Sequence, residues 1–127
     1  MILCLICARG GSKRLPGKNL LEINQKSLLA HSISHAQSCN KINELILSTD
    51  CTDIADEGKK YGIKIPFLRP QHLAKDDTPE WSVWQHAIKN YKLNTIKTLV
   101  ILPTTAPLRN KIDIASQVMG EELKQWI

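Results

Sequence analysis

The sequence predicts an α/β layered fold with a mostly parallel sheet, and two features of the chain support this prediction. Apolar runs at 2–7, 44–50 and 98–105 resemble strands that are buried on both faces, as the strands of parallel sheets are. Segments whose apolar residues follow the helical period separate these runs, so strands and helices alternate along the chain. Right-handed crossovers would then place the carboxyl ends of all three strands along one edge of the sheet.

Size and composition indicate one folded domain, residues 1–127. The chain is 43% hydrophobic and carries charges of both signs throughout, which is typical of a globular protein and argues against disorder. Its first apolar run meets Arg9 after eight residues, so the run is too short to span a membrane. It also lacks the preceding basic segment of a signal peptide. We therefore expect a cytoplasmic protein that has no membrane partner.

The helices are predicted from apolar spacing and from residues that favour helix ends. The first helix should cover about 28–38. The second follows Asp50, with Thr52 or Asp53 as its cap and Gly62 at its end. Asp50 itself either serves a site or caps this helix. The inner faces predicted for the two helices consist of Leu29, Ile33 and Ala36 in the first and Ile54, Ala55, Gly58 and Tyr61 in the second.

Two more helices are predicted in the second half of the chain. Thr78 as cap and Pro79 at the first helical position would open the third. Asn110 would cap the fourth. After it, "GEELKQWI" ends within a helix-like segment, so the sheet should be incomplete at the C-terminus. The side chains that these helices should bury are Trp81, Trp84, Ile88 and Tyr91 in the third and Ile112, Ala115 and Met119 in the fourth.

The four cysteines are expected to be reduced thiols, because no secretion signal accompanies them. Cys4 and Cys7 have the C-x-x-C spacing of many metal and redox sites. On a strand, however, residues three apart point to opposite faces, so these two thiols could not hold one metal ion. We interpret them as small buried residues.

The formal net charge of +5 and the pI near 9.1 are compatible with an anionic partner. Nucleic acid is not expected, because no run of basic residues with interleaved aromatics is present. The densest positive charge lies in the loop after the first strand, "ARGGSKRLPGKN". Its spacing fits neither the P-loop nor the dinucleotide-binding pattern. The loop can still bind a polyphosphate, since Gly10 and Gly11 can aim backbone N–H groups at an anion and Arg9, Lys13 and Lys18 can neutralise it. The loops at 8–19, 49–52 and 103–110 should meet at this site.

Five ordered motifs, taken together, resemble the cytidylyltransferases that activate N-acylneuraminate and related nine-carbon sugar acids. The motifs are "ARGGSKRLPGKNL", "SLLAHSI", "LILSTD", "FLRPQHLAKDDTPEW" and "LPTTAPLR". Asn19 favours this branch, because the related 3-deoxy-manno-octulosonate cytidylyltransferases, the alternative, usually have proline after the loop lysine. The resemblance implies a Rossmann-like three-layer nucleotidyltransferase fold that is truncated at the C-terminus.

The resemblance also implies an activity, which is transfer of CMP from CTP to the anomeric hydroxyl of the sugar acid with release of pyrophosphate. Mg²⁺ would be the cofactor. The residues implied for the CTP phosphates and ribose are Arg9, Gly10, Gly11, Ser12, Lys18 and Asn19, with Lys18 and Arg9 as the catalytic cations. Arg69 and Thr78 would lie near the cytosine, and Asp77 could approach the magnesium ion.

Two departures from the family pattern affect these expectations. Pro103 stands where the family normally has a glutamine that contacts the sugar acid, which leaves Thr104, Thr105 and Arg109 for that contact. Family members are also longer, and their additional half supplies a magnesium-binding aspartate and the arm exchanged across a homodimer. We therefore expect weak or absent activity from this chain alone, and a CTP-binding or partner-binding fragment without catalysis is the alternative.

Overall fold

The computed structural model describes residues 1–11, 17–91, 95–102 and 116–119, with only the backbone described for Lys18 and for 116–119. Two short 3₁₀ helices, Lys18–Leu20 and Gln71–Leu73, lie in loops. The strands and α-helices, in chain order, are β1 (Ile2–Cys7), β2 (Glu22–Ile23), β3 (Lys26–Ser27), α1 (Leu28–Gln37), β4 (Glu44–Ser48), α2 (Thr52–Lys60), α3 (Glu80–Lys89), β5 (Thr98–Leu102) and β6 (Ser116–Met119).

The described part of the main sheet has the strand order β4-β1-β5-β6. β1 pairs in parallel with both β4 and β5, so Leu5 lies between Ile46 and Ile101. This confirms the predicted α/β fold with a mostly parallel sheet. The central position of β1 is the reason that "ILCLIC" contains no polar residue, since helices cover both faces of the strand.

The two faces of the sheet belong to two separate clusters of buried side chains, which gives the fold three layers. Cys4 and Ile6 pack with buried residues of α1 and α2. Leu3 and Leu5 pack with Ala87 and other buried residues of α3 on the opposite face, where Cys7 also lies. Cys4 and Cys7 therefore point to opposite faces, as their spacing on a strand predicts.

α1 forms where the apolar spacing predicts it. Ser27 is its N-cap, and the Ser27 hydroxyl accepts a hydrogen bond from the Ala30 amide at 3.0 Å. The preceding β2–β3 hairpin turns through Asn24 and Gln25, both at positive φ, as a two-residue hairpin turn requires. The predicted inner face is confirmed, with Leu29, Ile33 and Ala36 all buried.

Gly62 terminates α2 as predicted, two residues after its last helical residue, Lys60. Neither Thr52 nor Asp53 caps its beginning. Gly62 has a φ of +83°, and the amides of Gly62 and Ile63 bond to the Lys59 and Gly58 carbonyls, which is the Schellman arrangement. At the amino end the N-cap residue is Cys51, and no side chain makes a capping hydrogen bond there. Asp50 does not cap the helix because its carboxylate is directed to another loop, described below.

α3 differs from its prediction at its first turn. Thr78 does not cap it, because the Thr78 hydroxyl accepts from the Lys75 amide instead, and Pro79 occupies the N-cap position. The buried stripe is centred on Val83 and Ala87, four residues apart, and this rotation leaves Trp81 54% exposed. The prediction that Trp81 is a core residue is therefore wrong. The predictions for Trp84, Ile88 and Tyr91 are confirmed, since Ile88 is buried and Trp84 and Tyr91 pack against its cluster.

The prediction of a fourth helix is wrong for its carboxyl-terminal part. Ser116–Met119 form β6, which pairs antiparallel with β5 so that Met119 lies opposite Thr98. Spacing alone could not reveal this, because the edge of β5 offers backbone partners that outweigh a local helical preference. Asn110, Ile112 and Ala115 lie outside the described residues.

Candidate active site

The loops that follow β1 and β4 are joined at the carboxyl edge of the sheet. The Ala8 amide donates to the Ser48 carbonyl at 3.0 Å, and the Gly10 amide donates to Oδ1 of Asp50 at 2.9 Å. Two of the three loops predicted to share a site therefore do so. The third loop, 103–110, lies outside the described residues.

Gly10 allows this close approach because it has no side chain. A Cβ atom at position 10 would lie 2.7 Å from Cβ of Cys51, which real contacts do not allow, whereas one at Gly11 would meet nothing within 4 Å. Glycine is thus required at position 10 by packing against the start of α2. The Gly10 amide serves the loop's own structure through Asp50.

The loop returns beside its starting point, as the Pro16-Gly17 pair predicts. Gly17 has a φ of +71°, and its carbonyl accepts from the Leu20 amide at 3.0 Å. Asn19 is only 5% exposed, and its Nδ2 donates to the Arg9 carbonyl at 3.0 Å. Because both ends of the loop are bonded to each other, Arg9 and the backbone of Lys18 are held at one place.

Arg69 joins the end of β4 to the segment that follows it. Its side chain is buried, and its Nε and Nη2 donate to the hydroxyl and carbonyl of Ser48 at 3.1 and 2.9 Å. Nη1 donates to the Leu73 carbonyl at 3.3 Å, and the Arg69 amide donates to the Thr49 carbonyl at 2.8 Å. The guanidinium therefore fixes the 69–73 segment against the strand end.

A tight turn at 75–78 faces the loop after β1. The Thr78 amide donates to the Lys75 carbonyl at 3.1 Å, and the Lys75 amide donates to the Thr78 hydroxyl at 3.0 Å. Asp76 and Asp77 occupy the two central positions of this turn. From there, Oδ1 of Asp76 pairs with Nη1 of Arg9 at 2.5 Å. The turn at 75–78, hereafter the carboxylate turn, thus lies against the loop at 8–19, hereafter the cationic loop.

Burial changes the pKa values of two groups under the site. It raises the pKa of the Cys7 thiol to about 12, with Glu80 adding to the rise and Arg69 opposing it. Burial also lowers the pKa of Arg69, helped by the charge of Arg9 and opposed by Cys7 and Asp50. Cys7 is therefore a neutral thiol at physiological pH, which excludes it as a thiolate nucleophile.

The described residues do not form a complete metal cage, since no three His, Cys, Asp or Glu side chains among them converge on one point. The carboxylates of Asp50, Asp76 and Asp77 lie on the loops that border the site. Magnesium often takes only one or two protein carboxylates together with substrate phosphates and water. An ion bound here would therefore need the phosphates of a ligand, since the described carboxylates do not form a site by themselves.

Several site residues predicted from the sequence come together. Arg9, Gly10, Gly11 and Asn19 lie in one loop, and the turn with Asp77 and Thr78 borders it through Asp76. Arg69 lies beneath, engaged by backbone groups. Sequence reasoning missed Asp76 and Ser48, although the adjacent acids of "DDTP" were a signal for the former. The remaining predictions lie outside the described residues, namely Ser12, Thr104, Thr105, Arg109 and the side chain of Lys18.

Residues 3–123 of the chain match a protein-family model, which is described as Cytidylyltransferase. Pseudaminic acid cytidylyltransferase of Campylobacter jejuni is 42% identical over 117 residues, which cover 91% of this chain and 50% of that protein. N-acylneuraminate cytidylyltransferase of Escherichia coli is 32% identical over 117 residues, covering 92% of this chain and 27% of that protein. The chain spans about half the length of the first curated relatives it matches.

A solved structure supports the fold. The structure of CMP:2-keto-3-deoxy-manno-octonic acid synthetase complexed with CTP superposes with a TM-score of 0.76 and 22% identity, covering 88% of this chain and 43% of the other. At that identity the likeness establishes the arrangement of strands and helices alone. The described helices include none whose length and apolarity would allow it to cross a membrane.

Proposed function

The chain belongs to the cytidylyltransferase family, and from that premise we propose that it binds CTP at the carboxyl edge of β1 and β4 for transfer of CMP to a sugar acid. The observation that carries the proposal is the cationic loop closed on itself, with Asn19 bonded to the Arg9 carbonyl and Gly10 bonded to Asp50. The two ends of the loop are therefore held in place before a ligand arrives, and Arg9 at one end needs little ordering of its backbone on binding.

The triphosphate and ribose are assigned to the loop after β1. Arg9 and Lys18 supply positive charge, and Gly10, Gly11, Ser12 and Asn19 complete the loop. Arg9 supports this assignment, because its backbone is held by Asn19 while its guanidinium already pairs with an anionic group at 2.5 Å. Guanidinium groups bind phosphate oxygens in the same way as carboxylate oxygens.

The cytosine is assigned to the side of Arg69 and Thr78. Both residues organise backbone in the described structure, Arg69 through Ser48 and Leu73 and Thr78 through Lys75. In this proposal they shape the surface against which the base rests.

In the proposed reaction, the anomeric hydroxyl oxygen of the sugar acid attacks the α-phosphorus of CTP. The bond from that phosphorus to the bridging oxygen of the β-phosphate breaks, the hydroxyl proton is lost, and pyrophosphate leaves. Negative charge grows on the phosphate oxygens during this step, so Lys18 and Arg9 stabilise the transition state by position and charge. Magnesium, when bound with the phosphates beside Asp77, supplies further neutralisation of that charge.

A nine-carbon sugar acid is the proposed acceptor. The relatives named for pseudaminic acid and for N,N'-diacetyllegionaminic acid are 42% and 40% identical, against 32% for the relative named for N-acylneuraminate, which favours the first two kinds of acceptor. Thr104, Thr105 and Arg109 are assigned to the sugar acid, with Pro103 in place of the usual glutamine. 3-Deoxy-manno-octulosonate remains the alternative acceptor.

For the whole protein we propose one nucleotidyltransferase domain over 1–127, a cytoplasmic location, release of pyrophosphate and a homodimer in the full-length form. A second candidate function is CTP binding without transfer.

Thermal unfolding tests the proposal. CTP with Mg²⁺ should raise the melting temperature more than ATP or GTP does, because a ligand that binds only the folded state stabilises it by about 2.7 kcal/mol at one hundred times its Kd. Lys18→Ala should lose this selective shift. Lys64→Ala is the matched control, since Lys64 is a 60% exposed cation that pairs with Glu44 at the far end of β4. Equal shifts with all three nucleotides would contradict the proposal.

A further inference from the structure

The ion pair between Arg9 and Asp76 brings the cationic loop and the carboxylate turn into direct contact. Nη1 of Arg9 lies 2.5 Å from Oδ1 of Asp76, and the two side chains are 29% and 35% exposed. A carboxylate oxygen is therefore already paired with one edge of the guanidinium that is assigned to a CTP phosphate. Partial exposure leaves the pair accessible to a dissolved ligand.

The turn that presents Asp76 is held in place by several contacts. Its two ends are bonded twice through Lys75 and Thr78, with lengths of 3.1 and 3.0 Å. The preceding segment is bonded to Arg69, whose guanidinium is anchored on Ser48 at the end of β4. Asp76 is thus placed opposite Arg9 by the fold, since the turn has no freedom to move its two ends apart.

Hydrogen bonds also hold the backbone around Arg9 in place. Its carbonyl accepts from Asn19, and its neighbours Ala8 and Gly10 donate to Ser48 and Asp50. Only the side chain can change its partner without breaking these bonds. Among these contacts of the described residues, the one between the Arg9 guanidinium and the Asp76 carboxylate can therefore be exchanged.

We propose that in the free protein the Asp76 carboxylate occupies the position of a nucleotide phosphate on Arg9, and that Arg9 exchanges this carboxylate for a phosphate oxygen when nucleotide binds. The inference rests on the proposed function, because it assigns a regulator to the same phosphate site. Asp76 is a positioning residue. In the free protein it holds the guanidinium in the direction that the phosphate needs, and it competes with the phosphate for that guanidinium.

The exchange has a definite cost for binding. A metal-free polyphosphate competes with the Asp76 carboxylate for the Arg9 guanidinium, and the nearby carboxylate repels it. Nucleotide affinity is therefore lower than the loop alone would provide, and Asp76 sets the threshold concentration at which the site fills.

Calorimetric titration of the chain with CTP and with inorganic tripolyphosphate, both in EDTA, tests the proposal. Asp76→Asn removes the competing charge and keeps the shape, so both ligands should bind about three- to fivefold more tightly, as expected for a partly exposed ion pair. Asp77→Asn is the matched control, because it removes the same charge from the next position of the same turn. Its effect should be smaller for both ligands.

A double-mutant cycle identifies the partner. Adding Asp76→Asn to Arg9→Gln should give no gain beyond that of Asp77→Asn in the same background, because the guanidinium to be released is already gone. Equal gains from Asp76→Asn and Asp77→Asn in the wild-type background would overturn the exchange while leaving the proposed function intact. If neither polyphosphate binds the wild-type chain in EDTA while CTP with Mg²⁺ still raises its melting temperature, the exchange fails and the proposed function stands.

Discussion

The amide of Gly10 donates to Oδ1 of Asp50 at 2.9 Å, a bond between residues that are forty positions apart in the chain. This bond joins the loop after β1 to the turn after β4 and keeps the cationic loop on the edge of the sheet. Asp50 therefore bonds to the loop and does not cap α2, which excludes one of the two roles that the sequence allowed for it.

The Asp50 bond should contribute to nucleotide affinity. Asp50→Ala leaves the Gly10 amide without its acceptor, so the loop must be ordered by the ligand, and CTP binding should weaken about three- to tenfold relative to Asp50→Asn. Asp50→Asn is the matched variant because it removes the charge but keeps an oxygen acceptor. Calorimetry measures the difference, and equal affinities for the two variants would show that the bond does not support binding.

Gly10 should not tolerate alanine, whereas Gly11 should. Gly10→Ala places a methyl group 2.7 Å from Cβ of Cys51, so the loop or the start of α2 must move. We expect a loss of about 1–3 kcal/mol in the free energy of unfolding, the usual cost of overpacking. Urea denaturation measures it. Gly11→Ala, with open space around its Cβ, should stay close to wild type, and a similar loss for both would contradict the packing argument.

Arg69 should be a strong contributor to stability. Arg69→Met removes the donors to Ser48 and Leu73 and leaves buried acceptors unpaired, which should cost about 2–4 kcal/mol of unfolding free energy. Lys64→Met, at an exposed cation whose partner Glu44 lies 3.6 Å away, should change it by about 0.5 kcal/mol or less. The two urea midpoints give the comparison. Equal effects would mean that the Arg69 bonds add nothing to the fold.

His86 should make stability fall in mild acid. Burial lowers the pKa of His86, and the charges of Arg69 and His72 lower it further. The unfolded chain then takes up a proton near pH 6.5 that the folded chain does not, so the free energy of unfolding should decrease as pH falls below that value. His86→Leu should reduce this decrease. Denaturant titrations at pH 7.5 and 5.5 measure it, and an unchanged pH dependence would contradict the assignment.

Much of the fold follows from local pattern. β1 could be predicted because a run of six apolar residues needs cover on both faces, and helices provide that cover. α1 and the Gly62 end of α2 follow from apolar spacing and from glycine at positive φ. These features depend on residues within a few positions of one another, so a single sequence contains the information.

Long-range pairing limited the prediction of the site. The loop motif indicated Arg9, but its carboxylate partner lies 67 positions away in sequence number, at Asp76, and no local pattern shows that contact. The motif assigns Arg69 to the side of the base but does not show the bond between its buried guanidinium and Ser48. Trp81 fitted a helical stripe, yet the rotation of α3 on the sheet left it exposed.

The sequence by itself determined the alternation of β1, β4 and β5 with α1, α2 and α3, the cationic loop and the membership of the cytidylyltransferase family, because periodicity and short motifs are local properties. Tertiary structure decided which groups face one another at the site. It paired Arg9 with Asp76, bonded Gly10 to Asp50 and turned Ser116–Met119 into a strand. Each of these depends on hydrogen-bonding groups and charges that meet only after the chain has packed, where the most favourable available partner prevails over local preference.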